Sequence, residues 1–319
     1  MASPDDFAPV AITTRSGFDE SVHFGAVVAL GAHGGIEFAI GNPAAVVYPR
    51  STNKPMQAVA MVRAGLSLPA ELLALVCASH DGTPAHQDAA RRILASAGVT
   101  PDALANTASM PLDEVTARAI YREGGGRTAL QMNCSGKHSG MLATCVSNGW
   151  AHDASYLDEL HPLQVAITTT IDELCEEEHA HIGIDGCGAP AHAMSLTGLA
   201  RAFRAIAHGD AGHAGDQVYA AMTGNPEMVG GARRDVTVLM QHIPSMMAKD
   251  GADGVFAAAF PDGRAVAIKI ADGGDRARPT VMLAALARLG VDVGDVAPLV
   301  EERIMGHGRQ VGTVRAIAP

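Results

Sequence analysis

A serine and a lysine stand three residues apart in Arg50-Ser51-Thr52-Asn53-Lys54, between the apolar, partly β-branched residues 44–48 and residues 56–62, whose apolar positions recur at helical spacing. A serine in the first turn of a helix has its hydroxyl near free backbone N–H groups, and a lysine three residues on shares its face. The amine form of Lys54 can then take the Ser51 hydroxyl proton, which is how Ser-x-x-Lys acyl-transfer enzymes activate a serine. The same tetrapeptide also reads as a capping serine beside an exposed lysine, so partners elsewhere in the chain decide its meaning.

Three further groupings offer such partners. Ser79 lies in Ala78-Ser79-His80-Asp81-Gly82 at the end of a helical run, either as a nucleophile or proton relay or as a turn serine with His80 and Asp81 in solvent. Lys269 is the single charge in the apolar strand pattern of residues 265–270. If the strand alternates, it shares a face with Ala265 and Ala267 and reads as a cleft-facing cation or a solvated edge lysine. Cys134-x-x-Lys137 and Cys187 come from glycine-punctuated loops. Two thiolates there are good zinc ligands, with Lys137 as an amine or His138 as a more ordinary third donor, or else they are two unrelated buried thiols.

The elements that must position these groups follow from periodicity and punctuation. Residues 22–30 and 36–40 read as strands joined by a glycine-rich turn, and residues 254–260 and 265–270 as a second hairpin across Pro261-Asp262-Gly263-Arg264. Helical spacing covers 68–76, 87–96, 113–122, 163–178, 196–206, 217–222 and 277–289. Residues 181–184 form a short strand pattern, and 312–318 form a closing one. Strands at both ends with helices between them predict an α+β fold: one antiparallel sheet built from the termini, a central helical lobe, and a ligand cleft where they meet.

Composition narrows the partners. With 319 residues and a formal net charge of −11, and without a basic, aromatic-rich stripe, the chain points away from nucleic acid and anionic membranes and towards a small neutral or zwitterionic substrate. No apolar stretch is long enough to span a bilayer. Residues 1–11, with Asp5 and Asp6 and no basic flank, do not read as a secretory signal. Five cysteines then predict free thiols in a reducing, cytoplasmic setting, with Cys77, Cys145 and Cys175 in the core.

Taken together and in order, Arg50-Ser51-Thr52-Asn53-Lys54-Pro55, Ala78-Ser79-His80-Asp81-Gly82, Asn133-Cys134-Ser135-Gly136-Lys137-His138, Asp185-Gly186-Cys187-Gly188-Ala189-Pro190 and Ala267-Ile268-Lys269-Ile270-Ala271-Asp272-Gly273 resemble the Rhizobium-type L-asparaginases, over nearly the whole chain. The resemblance implies a fold like the serine β-lactamases and penicillin-binding proteins, one two-lobed domain over residues 1–319, and a homodimer. It pairs Ser51 with Lys54 and Ser79 with Lys269, and it puts zinc on Cys134, Lys137 and Cys187 as an aid to substrate binding, with Asp185 beside the metal. Ser79-His80-Asp81 is not Ser-Asp-Asn and Lys269-Ile270-Ala271 is not Lys-Thr-Gly, departures that point away from penicillin chemistry.

The expected reaction is hydrolysis of the side-chain amide of L-asparagine to L-aspartate and ammonia through an acyl-enzyme. Ser51 is the favoured nucleophile and Lys54 its base, while Ser79 and Lys269 shuttle the proton or form an alternative couple. Arg50, Asp185 and His138 are the candidates for holding substrate. The competing readings are a related Ser-Lys amidohydrolase acting on glutamine or a β-lactam, and a non-catalytic, zinc-stabilised amino-acid-binding protein.

Overall fold

The computed structural model describes residues 3–317. The strands, in chain order, are β1 (Ala8–Arg15), β2 (Phe18–Leu30), β3 (Ile36–Ile40), β4 (Val46–Val47), β5 (His181–Ile184), β6 (Pro190–Ser195), β7 (Met247–Asp250), β8 (Val255–Ala259), β9 (Ala265–Ile270), β10 (Arg303–Gly306) and β11 (Arg309–Ala316). The main sheet is antiparallel, in the order β10-β11-β1-β2-β9-β8-β7, with β3 also pairing to β2. N-terminal strands therefore pair with C-terminal strands, as predicted. A second, three-stranded sheet runs β4-β6-β5.

The helices used below are α1 (Lys54–Arg63), α2 (Ala70–Val76), α3 (Pro84–Ser96), α4 (Glu114–Arg122), α5 (Ser135–Asn148), α6 (Pro162–Cys175), α7 (Leu196–His208), α8 (Gly212–Gly224), α9 (Pro226–Val229), α10 (Asp235–His242) and α11 (Arg278–Arg288). The glycine-rich turn is where the sequence puts it: Gly31 N–H donates to Gly35 O, and Gly34 takes φ +78°, a conformation that costs glycine little. The expected closing strand is β11; the predicted end at Ala318 lies outside the described residues.

Both faces of the main sheet are covered. All five residues of β8 are buried, as are five of six in β9, and burying each large aliphatic side chain contributes about 1.5–3 kcal/mol. Helix α11 lies against Val10 and Val27, and Val27 is in register with Ile268. Residues opposite one another in a ladder project to the same side. Lys249, in register with Ala257 and thence Ala267, therefore leaves the other face, towards the helical lobe. Four strands are absent from the sequence reading: β1, β6, β10 and β7. The last is four residues long, too short for alternation to show.

Candidate active site

The chain enters the site through a strained turn. Arg50 has φ +53°, unusual for a side-chain-bearing residue, and opens a short 3-10 turn, Arg50–Asn53, that feeds α1. Such a conformation costs on the order of 1–3 kcal/mol and persists where its surroundings fix it. Here the guanidinium is held twice: Nε donates to Asp185 Oδ1 at 2.8 Å, and Nη1 donates to the Asp253 carboxylate. Neither Ser51 nor Asn53 caps α1 with its side chain. The capping reading of Ser51 therefore fails, and Lys54, 1 % exposed, is not a surface lysine.

Lys54 turns to Ser79. Its Nζ lies 2.6 Å from Ala78 O, 3.1 Å from Ser79 Oγ and 3.1 Å from Cys134 Sγ. The Ser79 loop is fixed from both sides, with Ser79 N–H donating to Val229 O and His80 N–H to Asn133 O. His80 is fully buried rather than solvated. Gly82 N–H donates to its Nδ1 at 3.0 Å, so the ring proton sits on Nε2 and is donated to Ser135 Oγ at 2.9 Å. Burial pulls the His80 pKa well below the usual range, and the neutral ring ties the Ser79 loop to the start of α5. Asp81 is likewise engaged, with Arg234.

The first turn of α5 brings Cys134, Lys137 and His138 together against Cys187, all of them buried. Lys137 Nζ donates to Cys187 Sγ at 3.2 Å. A hydrogen bond from the Cys134 thiol and the charge of Lys137 hold Cys187 far below the thiol range, against the opposing effect of burial. Burial opposes the charge on Lys137, but Cys187, Cys134 and Asp185 outweigh it and raise its pKa. The sequence reading had His138 touching substrate. It sits instead behind Cys187, outside the cavity lining. Ala105 N–H donates to the Tyr156 hydroxyl, which lies 2.7 Å from His138 Nδ1. The His138 Nε2 has no conventional partner and faces the Cys187 sulfur.

Two sulfurs and one amine thus converge, a donor set that fits a thiophilic divalent cation such as Zn²⁺. Among the described residues no three His, Cys, Asp or Glu side chains gather around one point, so a metal here would take Lys137 as its third protein ligand.

Lys269 does not join Ser79. Its Nζ donates to Asp253 O and Ile270 O, both at 2.6 Å, because its strand position carries the side chain to the end of β9 rather than to the serine loop. The second buried lysine is Lys249 on β7, 0 % exposed, with Nζ at 2.5 Å from Asp250 O and 2.6 Å from Asp250 Oδ1. Burial lowers its pKa to about 8, with Lys54 adding repulsion and Asp250 opposing. Asp250 also receives Arg234 and lies beside Arg278. The signal for Lys249 was present in the sequence: a lysine closing the apolar residues 246–248, directly before Asp250-Gly251, the same pattern that drew attention to Lys269.

Ser51 and Ser79 line one cavity of about 760 Å³, together with Asn133, Asp250 and Gly251. Its two hydroxyls and a buried amine 3.1 Å from one of them are components of acyl transfer.

The family described as L-asparaginase II matches residues 11–316. Among solved structures, a β-lactamase from Mycobacterium bovis is similar at 16 % identity, covering 83 % of this chain and 94 % of that one with a TM-score of 0.39. A protein called Mglu is similar at 12 % identity, covering 88 % of this chain and 72 % of that one, also with a TM-score of 0.39. No curated protein gives a significant match.

Proposed function

Since this chain belongs to the L-asparaginase II family and is thereby an amidohydrolase, we propose that it hydrolyses the side-chain amide of L-asparagine to L-aspartate and ammonia by serine-lysine catalysis in the cleft between the sheet and the helical lobe. The observation that carries this reading is the Lys54 Nζ–Ser79 Oγ contact of 3.1 Å at the wall of a cavity that Ser51 shares.

A neutral lysine has two N–H donors and one lone pair. Ala78 O and Cys134 Sγ take the donors, leaving the lone pair for the Ser79 hydroxyl. Ser79 is 4 % exposed, whereas Ser51 is more open and its hydroxyl makes no side-chain hydrogen bond among the described residues. Ser51 therefore attacks the amide carbon. Its proton passes through Ser79 to Lys54 and from there to the departing nitrogen; water then cleaves the ester. Lys249 takes the place expected of Lys269 as the second lysine of the site.

Arg50 and Asp185, joined at 2.8 Å, offer opposite charges at the rim for the substrate's α-carboxylate and α-amino groups. Cys134, Lys137 and Cys187 would hold Zn²⁺, which when bound supplies positive charge beside that rim. Tyr156 holds the His138 ring, which faces Cys187 and orients it. The protein acts on a small molecule, in the cytoplasm and as a homodimer. No helix among the described residues is long and apolar enough to cross a membrane. The deciding experiment is release of aspartate and ammonia from L-asparagine, with L-glutamine and a β-lactam alongside. Turnover of either alternative in preference to asparagine moves the assignment to a sister amidohydrolase, and binding of asparagine without turnover makes the protein a non-catalytic, zinc-stabilised amino-acid-binding protein.

A further inference from the structure

Cleaving a primary amide releases only ammonia, yet the cavity at the serines is about 760 Å³, a size that encloses whole drug-sized ligands. Its lining contains Ser51 and Ser79 but not Arg50, Asp185, Lys137 or Cys187. The space therefore extends from the hydroxyls beyond the groups assigned to the amino-acid end of the substrate. An amide whose amino-acid end is held by those groups puts its nitrogen substituent in the cavity.

The wall there has a definite chemistry. Leu112 and Val115, at the start of α4, are 51 % and 68 % exposed and give an apolar surface. Every carboxylate of the lining already has a donor. Asp81 and Asp250 accept from Arg234, Asp113 from Thr116, Glu114 from Arg118 and Asp275 from Arg278. Those bonds also occupy Arg118, Arg234 and Arg278. Arg233 remains: it lines the cavity and forms no ion pair or side-chain hydrogen bond among the described residues. An apolar surface beside an unpaired guanidinium suits an amino acid, side chain on one and carboxylate on the other.

Resting on the amidase reading above, we propose that the site also hydrolyses β-aspartyl dipeptides, in which the aspartate side chain is amide-linked to the α-nitrogen of a second, apolar amino acid. The serine oxygen bonds to the β-carbonyl carbon, and the C–N bond breaks. The hydroxyl proton travels through Lys54 to the departing α-amine, and water then cleaves the ester to give aspartate and the free amino acid. Arg233 holds the carboxylate of the leaving residue, and Leu112 and Val115 hold its side chain.

The test compares L-asparagine and β-aspartyl-leucine as substrates of the full chain, in the wild type, Arg233→Gln and Val115→Trp. Arg233→Gln is expected to raise KM for the dipeptide about tenfold, the loss of one charge-assisted hydrogen bond, with asparagine turnover unchanged. Val115→Trp, which fills the cavity, is expected to suppress dipeptide cleavage alone. Asparagine cleaved with the dipeptide untouched overturns this proposal and leaves the amidase reading standing; neither cleaved overturns both. A dipeptide KM unmoved by Arg233→Gln overturns the carboxylate contact.

Discussion

Lys54 Nζ lies 3.1 Å from the Ser79 hydroxyl, 25 residues away in the chain, and not on Ser51 three residues before it. Ser51 and Lys54 do share a turn, closed by Lys54 N–H donating to Ser51 O, in which residues i and i+3 lie one above the other, but the Lys54 amine is taken up by Ala78 O, Ser79 Oγ and Cys134 Sγ instead. The two serines thus have separable roles. Ser51→Ala should abolish turnover and any ester detectable by intact mass after acid quench. Ser79→Ala should lower kcat by about 10²–10⁴, the range for a lost proton-transfer partner, while the ester still forms slowly. Normal turnover in Ser79→Ala would remove Ser79 from the proton path.

Lys249 predicts a pH dependence of stability. Its folded pKa is lowered to about 8 from an ordinary 10.5, so between those values the unfolded chain binds more protons and stability rises with pH. The cost of keeping the buried ammonium is complete below pH 8 and disappears as pH climbs towards 10.5. Stability of the wild type relative to Lys249→Met should therefore grow by up to about 3 kcal/mol across that window, measured by denaturant unfolding of both proteins at each pH. A difference that stays flat from pH 7 to 10 would show that Lys249 is not titrating there.

That lysine also marks where sequence reading stops. Strands β2, β8 and β9, the hairpin turns and most of the longer helices are legible because their periods run for several repeats, whereas α5 is not, because its first turns are polar and carry Gly136 and Gly140. Ser51, Ser79, Cys134, Lys137 and Cys187 are legible as chemistry because serine, lysine and cysteine stand beside glycine and other polar residues. Pairing is not legible. Lys54 chooses Ser79 through the packing of the Ser79 loop on α5, and Lys269 loses its expected role because carbonyls at the end of β9 capture its ammonium. Strand β7 is too short to announce itself, so the lysine it carries was passed over for a lysine in a longer strand with the same local pattern.

The convergence of Cys134, Lys137 and Cys187 predicts zinc at about one ion per chain in protein prepared without chelator, lost in Cys187→Ser and read by elemental mass spectrometry. The hydrogen bond to Cys187 and burial raise the Cys134 pKa well above the thiol range, and Lys137 is also held protonated. Loading must therefore displace protons, and zinc affinity should fall as pH falls. Competitive titration against a chromophoric chelator at several pH values checks this; an affinity independent of pH excludes these two ligands.

Gly251 joins the β7 lysine to the Ser51 turn. A Cβ added there would meet Pro49 O at 2.5 Å and Thr52 Oγ1 at 2.5 Å, and the first is backbone that cannot rotate away. Gly251→Ala must therefore push the strand end and the Arg50–Asn53 turn apart, an overpacking strain of about 1–3 kcal/mol. The displaced turn carries Ser51, while Lys54 stays anchored to Ala78 O and Ser79 by α1. Displacements of this size near reacting atoms cost about 10²-fold in rate, so kcat for the amidase reaction should fall far more than folding stability does. Thermal melts and steady-state kinetics on the same preparation separate the two. A Gly251→Ala enzyme with normal kcat and a lowered Tm would show that the turn carries no catalytic group.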